Sequence, residues 1–466
     1  MTYIFYDTET TGTNTAFDQI LQFAAIHTDE QLNELDRFEI RCRLLPWVVP
    51  SPGALLITGI APKTLHDPAL PSHFEMVRAI MDKLLSWSPA IFVGFNSITF
   101  DEELLRQAFY QTLHPPYLTN TRGNARFDIL SAAHACAAFA PNTISIPIND
   151  IGKPSFRLGD LAAANGFPII NAHDALADVE GTIDVARLIK ERAPSVWRGL
   201  ERTCRKGDTL DLLEEEPILI HTAFYFNKEY SSLMSHCGRH PEIDTQVAMF
   251  DLAHDPEPYF GMSVEELVKV LNATPKIIRS LRANAQPTLM TPDEFPSKVS
   301  EIGVEISEAT KRAAQIAAEA EFQQNVGRAL AARFGEREPS PWPEKQIYDG
   351  FAGRDDEQLM ADFHASKDWS ERNQIALRLS DERLKHFALR TVYAEAPEVL
   401  SDVHRHHIER WLNERILSDL DDVPWTTLQH AITEAEKSSI EGSKDDQEQS
   451  KVVLEYLLER AKQLSS

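Results

Sequence analysis

The first apolar run of the chain ends in two carboxylates. Residues 3–6 are aromatic or aliphatic, and Asp7 and Glu9 follow them two positions apart. In a strand, residues spaced i, i+2 lie on the same face, so these carboxylates would lie side by side. A cation would relieve their mutual repulsion and the cost of burying them. The pattern therefore predicts a buried strand that ends either at a cation site or in solvent.

Residues 1–195 combine strand and helix patterns. Short apolar runs predict further strands at 21–26, 37–45 and 91–96. Apolar residues at helical spacing predict helices at 100–113, 157–166 and 174–193. Strands followed by alternating helices favour a mixed sheet packed by helices, which is an α/β fold.

The pattern changes after residue 195. Apolar runs at 217–227 and 245–252 predict strands. Residues 263–273 and 306–335 have helical periodicity. Together they indicate a second part of α+β class.

A proline-rich stretch at 335–345 predicts a linker. Beyond it the chain has a helical pattern, including an amphipathic stretch at 451–464. A chain of 466 residues is too long for one ordinary domain. We therefore expect three domains, at 1–195, 196–343 and 344–466.

Composition limits the classes of protein that the chain can be. Its formal net charge is −25, so any nucleic acid must be held by a local groove or a metal-bridged site and not by general attraction. The cysteines are scattered without a paired spacing, as is typical of reduced thiols in the cytosol. No apolar stretch is long enough to span a membrane, and a strand that begins at residue 3 leaves no signal peptide. We therefore expect a cytoplasmic protein.

Two further groups of residues carry candidate chemistry. Asp101 lies where a predicted strand has ended and a helix begins, and His173 and Asp178 lie at the start of another predicted helix. Taken singly, each also fits an ordinary helix start, where acidic residues are favourable. With Asp7 and Glu9 they supply four carboxylates and a histidine that can converge at one edge of a sheet. Such oxygen ligands suit Mg²⁺ or Mn²⁺, two of which can clamp a phosphodiester while a neutral histidine accepts a proton from water.

The order and spacing of these residues resemble the three motifs of the DnaQ-like 3′→5′ exonucleases. Asp7 and Glu9 resemble the first motif and Asp101 the second. His173 and Asp178 resemble the third motif in the subclass that has histidine there. The tyrosine subclass would place its tyrosine one position later, where this chain has an aspartate.

Longer stretches resemble the bacterial exodeoxyribonuclease I family. They are residues 49–60, 94–106, 124–130, 154–166, 171–179 and 348–351. The resemblance implies an RNase H-like (DnaQ-like) mixed sheet with helices, followed by an SH3-like α+β domain and an all-helical domain. It also implies a C-shaped clamp around single-stranded DNA, in which the parts beyond residue 195 supply grip and not chemistry.

The resemblance implies a reaction and the residues that perform it. The reaction would be processive 3′→5′ hydrolysis of single-stranded DNA to 5′-mononucleotides by two metal ions, in DNA repair and recombination. Asp7, Glu9 and Asp178 would bind two Mg²⁺ ions, for which Mn²⁺ can substitute, and Asp101 would support the second ion. His173 would be the general base.

Further positions are implied to contact the substrate. They are Glu9, Arg157, Arg106, Tyr117 and Thr58. Arg157 matches a family position near the scissile end, and Thr58 lies in a loop that resembles the one that meets the terminal nucleotide. Arg106 is placed to hold a phosphate, or is an exposed helix arginine, and Tyr117 stacks on a base or packs within its loop. Where the family can carry a basic residue, this chain has His134, which puts a DNA contact there in doubt.

Two alternatives share part of this evidence. An exoribonuclease or a proofreading exonuclease of the same superfamily would carry the same motifs, since no residue that reads a 2′-hydroxyl is visible. A degenerate nuclease could serve as a non-catalytic single-strand-binding scaffold, although the complete set of carboxylates argues against it.

The resemblance also implies partners. We expect a monomer that binds single-stranded DNA and no membrane. A single-stranded-DNA-binding protein would dock its acidic, apolar C-terminal tail on basic pockets of the nuclease.

Overall fold

The structure, a computed structural model, describes residues 1–171, 173–335, 338–418, 423–441 and 443–464. Residues 336 and 337 of the predicted linker lie outside these ranges. None of the described helices combines the length and the low polarity needed to cross a lipid bilayer.

A mixed sheet organises the first part of the chain. Its strands are β1 (Tyr3–Thr10), β2 (Ile20–Thr28), β3 (Glu34–Arg41), β4 (Ile91–Gly94) and β5 (Ala125–Asp128). Their order is β3-β2-β1-β4-β5, with β1, β2 and β3 antiparallel and with β4 parallel to both β1 and β5. The predicted mixed sheet is confirmed, and β1, which carries the paired carboxylates, is its central strand.

Helices cover both faces of this sheet. They are α1 (Pro52–Thr58), α2 (His73–Trp87), α3 (Asp101–Gln111), α4 (Ile129–Phe139), α5 (Leu158–Ala164), α6 (Ala175–Arg192) and α7 (Pro194–Glu201). Side chains alternate along β1, so Tyr3 and Phe5 pack with α4 and α6, whereas Ile4 and Tyr6 pack with α2 and α3. The strand is therefore buried on both faces, which explains its unbroken apolar run.

A second sheet follows. Its region contains α8 (Lys206–Glu215), β6 (Leu219–Tyr225), β7 (Lys228–Arg239), β8 (Gln246–Asp251), α9 (Glu257–Phe260), α10 (Val264–Asn272), β9 (Ile278–Arg282), β10 (Leu289–Met290), α11 (Pro296–Ile302), α12 (Ile306–Ala318) and α13 (Ala320–Ala332). The strand order is β10-β6-β7-β8-β9, with antiparallel pairing. The SH3-like topology that the family resemblance implies stays a prediction.

The sequence pattern predicts one long helix over 306–335, but the structure has two helices there, α12 and α13. The structure divides it at Glu319, whose φ of −99° and ψ of 73° are not helical. At this break the carbonyl of Ile316 accepts from the backbone nitrogen of Glu319 at 3.2 Å and from the side chain of Gln323 at 2.8 Å. Apolar periodicity continues across this break, which is why the sequence pattern does not reveal it.

The last part of the chain is helical. Its helices are α14 (Arg354–Ala365), α15 (Trp369–Arg378), α16 (Glu382–Glu395), α17 (Asp402–Ile416), α18 (Leu428–Ser438) and α19 (Lys444–Leu464). One apolar cluster joins the two sheets, since Phe127 of the first and Phe250 of the second belong to it. Another joins the first part to the last helices, with Leu21 and Leu457 among its members. The domain limits at 195 and 343 therefore stay predictions.

Candidate active site

Three carboxylates converge at the end of β1. One carboxylate oxygen each from Asp7, Glu9 and Asp178 lies within 4.8 Å of the others. The i, i+2 spacing puts the first two on one face of β1, and the third lies in the first turn of α6. Val179 and Ile183 of α6 are buried against the same sheet face, and this packing brings Asp178 to the strand end.

This grouping disfavours negative charge when no cation is bound. Burial, and after it the charges of Asp101, Glu9 and Asp178, raise the pKa of Asp7 well above its usual range. Burial, and next the charge of Asp178, raise the pKa of Glu9 to about 8. Burial likewise raises the pKa of Asp178. A divalent cation among these oxygens would reverse this effect, because an opposite charge favours the ionised form.

Asp101 lies beside this group but is held separately. It is the first residue of α3 and is buried, and the hydroxyl of Thr8 donates to its Oδ1 at 2.6 Å. Burial raises the pKa of Asp101 to about 7, although the hydrogen bond from Thr8 opposes that shift. Thr8 lies between Asp7 and Glu9 in β1, and its side chain points to the opposite face of the strand. Strand β1 therefore lies next to Asp101 of α3 as well as Asp178 of α6.

The start of α6 is fixed by residues that the motifs do not include. Asp174 is its N-cap and accepts from the backbone nitrogen of Ala177 at 3.4 Å. The Asp174 carboxylate also accepts from Gln22 Nε2 at 3.1 Å and from Arg41 Nη2 at 2.7 Å. Burial favours a higher pKa for Asp174, but these hydrogen bonds outweigh it and the pKa is lowered. Gln22 and Arg41 are paired across β2 and β3, a relation that sequence inspection missed.

His173 stands immediately before this cap. Its side chain is exposed, and its backbone adopts the left-handed conformation with φ of 68°. Its backbone nitrogen donates to Oδ2 of Asp178 at 3.3 Å. The histidine is thus linked to one of the grouped carboxylates through its backbone, and its ring faces solvent.

Two of the predicted substrate contacts are accessible. Arg157 is exposed at the N-terminus of α5, where its side chain makes no cap. Thr58 is the last residue of α1 and is half-buried, and Gly59 ends the helix in the left-handed conformation with φ of 65°.

Arg106 is placed differently from the prediction. It is buried and forms ion pairs with Glu102 at 2.8 Å and Glu103 at 3.0 Å. Both of its Nη atoms are therefore already engaged by carboxylates, and this arrangement does not favour the predicted phosphate contact. The i, i+3 and i, i+4 spacing of the three residues is a sequence signal for these pairs.

Tyr117 and His134 are engaged in packing. The Tyr117 hydroxyl donates to the carbonyl of Ile347 at 3.2 Å, and its ring lies 5.9 Å from that of Phe351. The ring of His134 stacks on Phe224 at 4.2 Å, and burial lowers its pKa to about 4. A neutral, stacked histidine provides no positive charge for DNA. This agrees with the sequence, where a histidine in place of a basic residue argues against a DNA contact at this position. Tyr117 is half-buried and keeps part of its ring accessible.

The part of the chain that carries the grouped carboxylates is similar to a class of exonucleases. Residues 4–186 match the family model described as Exonuclease, and residues 342–464 match that of the Exonuclease I C-terminal domain. Along these two parts, and in this order, the chain resembles the bacterial exonuclease I family.

Curated relatives carry the same family name. Exodeoxyribonuclease I of Escherichia coli K12 is 36% identical over 272 residues, which cover 57% of each chain. Exodeoxyribonuclease I of Buchnera aphidicola from Acyrthosiphon pisum is 35% identical over 236 residues, 50% of this chain and 56% of that one. These alignments span a little more than half the length of the relatives.

Solved structures cover nearly the whole chain. Exonuclease I of E. coli in complex with a dA16 oligonucleotide has a TM-score of 0.83 and 27% identity, covering 99% of both chains. The moderately thermophilic Exonuclease I of Methylocaldum szegediense also has a TM-score of 0.83, with 26% identity over 98% of this chain and 99% of that one.

Proposed function

We propose that this protein is a 3′→5′ exonuclease that degrades single-stranded DNA processively to 5′-mononucleotides with two Mg²⁺ ions. The observation that carries the proposal is the meeting of Asp7, Glu9 and Asp178 oxygens within 4.8 Å. Oxygen ligands at this spacing suit a hard divalent cation, and Mn²⁺ has the same ligand preference. A solved relative in complex with dA16 supports single-stranded DNA as the substrate.

The residues divide the chemistry between them. Bound divalent ions would orient the phosphodiester and lower the pKa of an attacking water. Asp7, Glu9 and Asp178 hold the ions, and Asp101, oriented by Thr8, supports the second. His173, which lies immediately before α6 with an exposed side chain, would accept the proton of the attacking water.

The substrate would be held on both sides of the carboxylates. Arg157 is exposed and supplies a positive charge for a phosphate near the scissile bond. Thr58, with Glu9, contacts the terminal nucleotide, and the accessible part of the Tyr117 ring stacks on a base. Because the chain carries a net charge of −25, general electrostatic attraction does not keep it on DNA. The protein would stay bound by enclosing the strand.

The proposal includes a cellular setting. The protein would act as a cytoplasmic monomer in DNA repair and recombination. Its protein partner would be a single-stranded-DNA-binding protein, whose acidic, apolar C-terminal tail docks on the nuclease. Loss of binding to the full chain after deletion of that tail is the expected result of a direct binding measurement, and unchanged binding would contradict it.

The test is degradation of end-labelled DNA and RNA, each single- and double-stranded, with and without Mg²⁺. We expect metal-dependent release of mononucleotides from the 3′ end of single-stranded DNA. Preferred RNA cleavage would favour the exoribonuclease, and binding without cleavage would favour the scaffold.

Asp7→Asn tests the metal assignment. We expect no cleavage, an intact fold and unchanged or higher stability without metal, since one of several crowded carboxylates is gone. Asp293→Asn removes an exposed loop carboxylate as the matched control and should leave the rate unchanged. A near-normal rate of Asp7→Asn in Mg²⁺ would refute the metal assignment.

A further inference from the structure

The short helix α1 is capped by a residue from the far end of the chain. The backbone nitrogen of Gly53 donates to Oε1 of Glu434 on α18 at 2.9 Å, and the Ser51 hydroxyl donates to the same oxygen at 3.2 Å. Ser51, at the N-cap position, makes no side-chain cap of its own. A first-turn N–H group that would otherwise lack an intrahelical partner is therefore satisfied by a carboxylate from the last helices.

The same helices hold α1 by packing and by backbone contacts. Leu55 of α1 is buried in a cluster with Leu428 and Ala431 of α18 and with Leu457 of α19. Arg460 of α19 donates to the carbonyls of the segment that leads into α1. These bonds go to Pro46 at 2.7 Å and to Val48 at 2.8 Å.

The N-terminal end of α1 is also joined to the strand that carries the carboxylates. The backbone nitrogen of Ser51 donates to the carbonyl of Thr11 at 2.8 Å, one residue beyond the end of β1. The loop after β1 is also held by the last part of the chain, because the side chain of Asn14 donates to the carbonyl of Pro424. Helix α1 thus lies between the grouped carboxylates and helices α18 and α19.

We infer that Glu434 is a positioning residue that fixes α1 so that Thr58 meets the terminal nucleotide. The inference rests on the proposed function of Thr58. A helix of seven residues is marginal by itself, so its orientation depends on the hydrogen bonds at its N-terminal end and on the packing of Leu55. The last helices consequently contribute to the geometry of the active site, in addition to the grip on DNA expected for them.

The first test measures α1 directly. Glu434→Ala removes the acceptor, whereas Glu434→Gln keeps an acceptor oxygen of the same reach. Glu436→Ala changes an exposed glutamate on the same helix, away from α1, and is the matched control. By hydrogen exchange of the full chain, we expect faster exchange across residues 51–58 in Glu434→Ala alone. Unchanged exchange in that variant would overturn the inference, whatever the activity of the protein.

The second test separates positioning from grip. At saturating single-stranded DNA, we expect kcat of Glu434→Ala to fall about fivefold, which corresponds to about 1 kcal/mol of lost transition-state stabilisation. The Kd for a single-stranded oligonucleotide, measured in a chelator, should stay within about twofold because the rest of the clamp is intact. Glu434→Gln and Glu436→Ala should retain kcat.

The outcomes of the two tests are distinguishable. A weaker Kd with unchanged kcat, or an equal loss of kcat in Glu434→Gln, would overturn the positioning role. If the wild-type chain cleaved nothing, the proposed function would fail, but the exchange result would still decide whether Glu434 fixes α1.

Discussion

At the residue scale, the grouped carboxylates link the stability of the protein to pH and metal. Burial and the charge of Asp178 raise the pKa of Glu9 to about 8 in the folded chain, against about 4.3 for an unfolded one. A carboxyl with a raised folded pKa binds its proton more tightly in the folded state. The metal-free protein therefore loses stability as pH rises from about 4.3 to about 8.

Glu9→Gln should remove part of the stability that the metal-free protein loses as pH rises. We expect the variant to unfold at a higher urea concentration than the wild type at pH 8 in chelator, and the difference to shrink towards pH 5. Added Mg²⁺ should stabilise the wild type more than the variant, since only the wild type has the full set of ligands. Parallel pH profiles for the two proteins would contradict this account.

His173→Ala should slow hydrolysis by about 10² or more, the usual contribution of a general base. Metal affinity measured by calorimetry should be retained, because the ring is exposed and outside the group of carboxylate oxygens. If metal affinity disappeared with the ring, the histidine would have to be counted as a ligand.

At the element scale, the start of α6 matters because it aims Asp178 at β1. The N-cap Asp174 is held by Gln22 and by Arg41 from neighbouring strands. An N-cap contributes about 1 kcal/mol, and here the same carboxylate also ties the helix to the sheet. Helix α2 has a comparable cap: the Ser72 side chain accepts from the backbone nitrogen of Glu75, and the Ser72 backbone nitrogen donates to the Glu75 carboxylate. This helix carries none of the proposed site residues.

Asp174→Ala and Ser72→Ala form a matched pair for this element. We expect each to lower the free energy of unfolding by about 1 kcal/mol, and Asp174→Ala alone to weaken Mg²⁺ binding and slow cleavage. Asp174→Asn, which can still cap, should lie between the wild type and Asp174→Ala. Equal activities of the two alanine variants would show that the cap does not position Asp178.

At the scale of the whole molecule, a buried ion cluster holds the last helices together. Glu344 accepts from Arg390 at 2.7 Å and from Arg415 at 2.8 Å, and all three are buried. Burial by itself would raise the pKa of Glu344, but the two guanidinium groups outweigh it and lower the pKa to about 2. The backbone carbonyl of the same residue accepts from Gln107 of α3 at 2.9 Å, which joins this cluster to the first part of the chain.

Glu344→Ala should lower the free energy of unfolding by about 3–5 kcal/mol at pH 7, because it leaves two buried guanidinium groups without a partner. Glu344→Gln should cost less, since it keeps one acceptor. A carboxyl whose pKa is lowered by folding stabilises the protein at pH values above its unfolded pKa. The difference in free energy of unfolding between Glu344→Ala and the wild type should therefore shrink as pH falls from about 4.3 towards 2. Urea unfolding across this range measures it, and a cost that does not change with pH would contradict the charge-based explanation.

The contacts of the last helices also change the expectation that they supply only grip. Removal of everything beyond Arg192 would take away Glu434 and Arg460, which hold α1 and the segment before it. It would also expose Leu55 and Phe127 by removing their apolar neighbours. The structure therefore indicates that the first part depends on the later ones for its shape, in addition to the processivity that we propose for the whole chain.

The sequence by itself determined the first strand with its paired carboxylates and the α/β class. The pairing depends on a short-range relation, because alternation puts Asp7 and Glu9 on one face of β1, whereas the packing of α6 on the sheet brings Asp178 to them. The pairing of Arg106 with Glu102 is equally local, and its helical spacing was a signal that could have been used.

Only the tertiary structure decided which side chains support the site. Arg41 reaches Asp174, and Glu434 reaches Gly53, across 133 and 381 positions of the sequence. Contacts at such separations leave no periodicity in the sequence, because they depend on how sheets and helices pack and not on local spacing. For the same reason the burial that raises the pKa of Asp7 and lowers that of His134 exists only when the surrounding elements have come together.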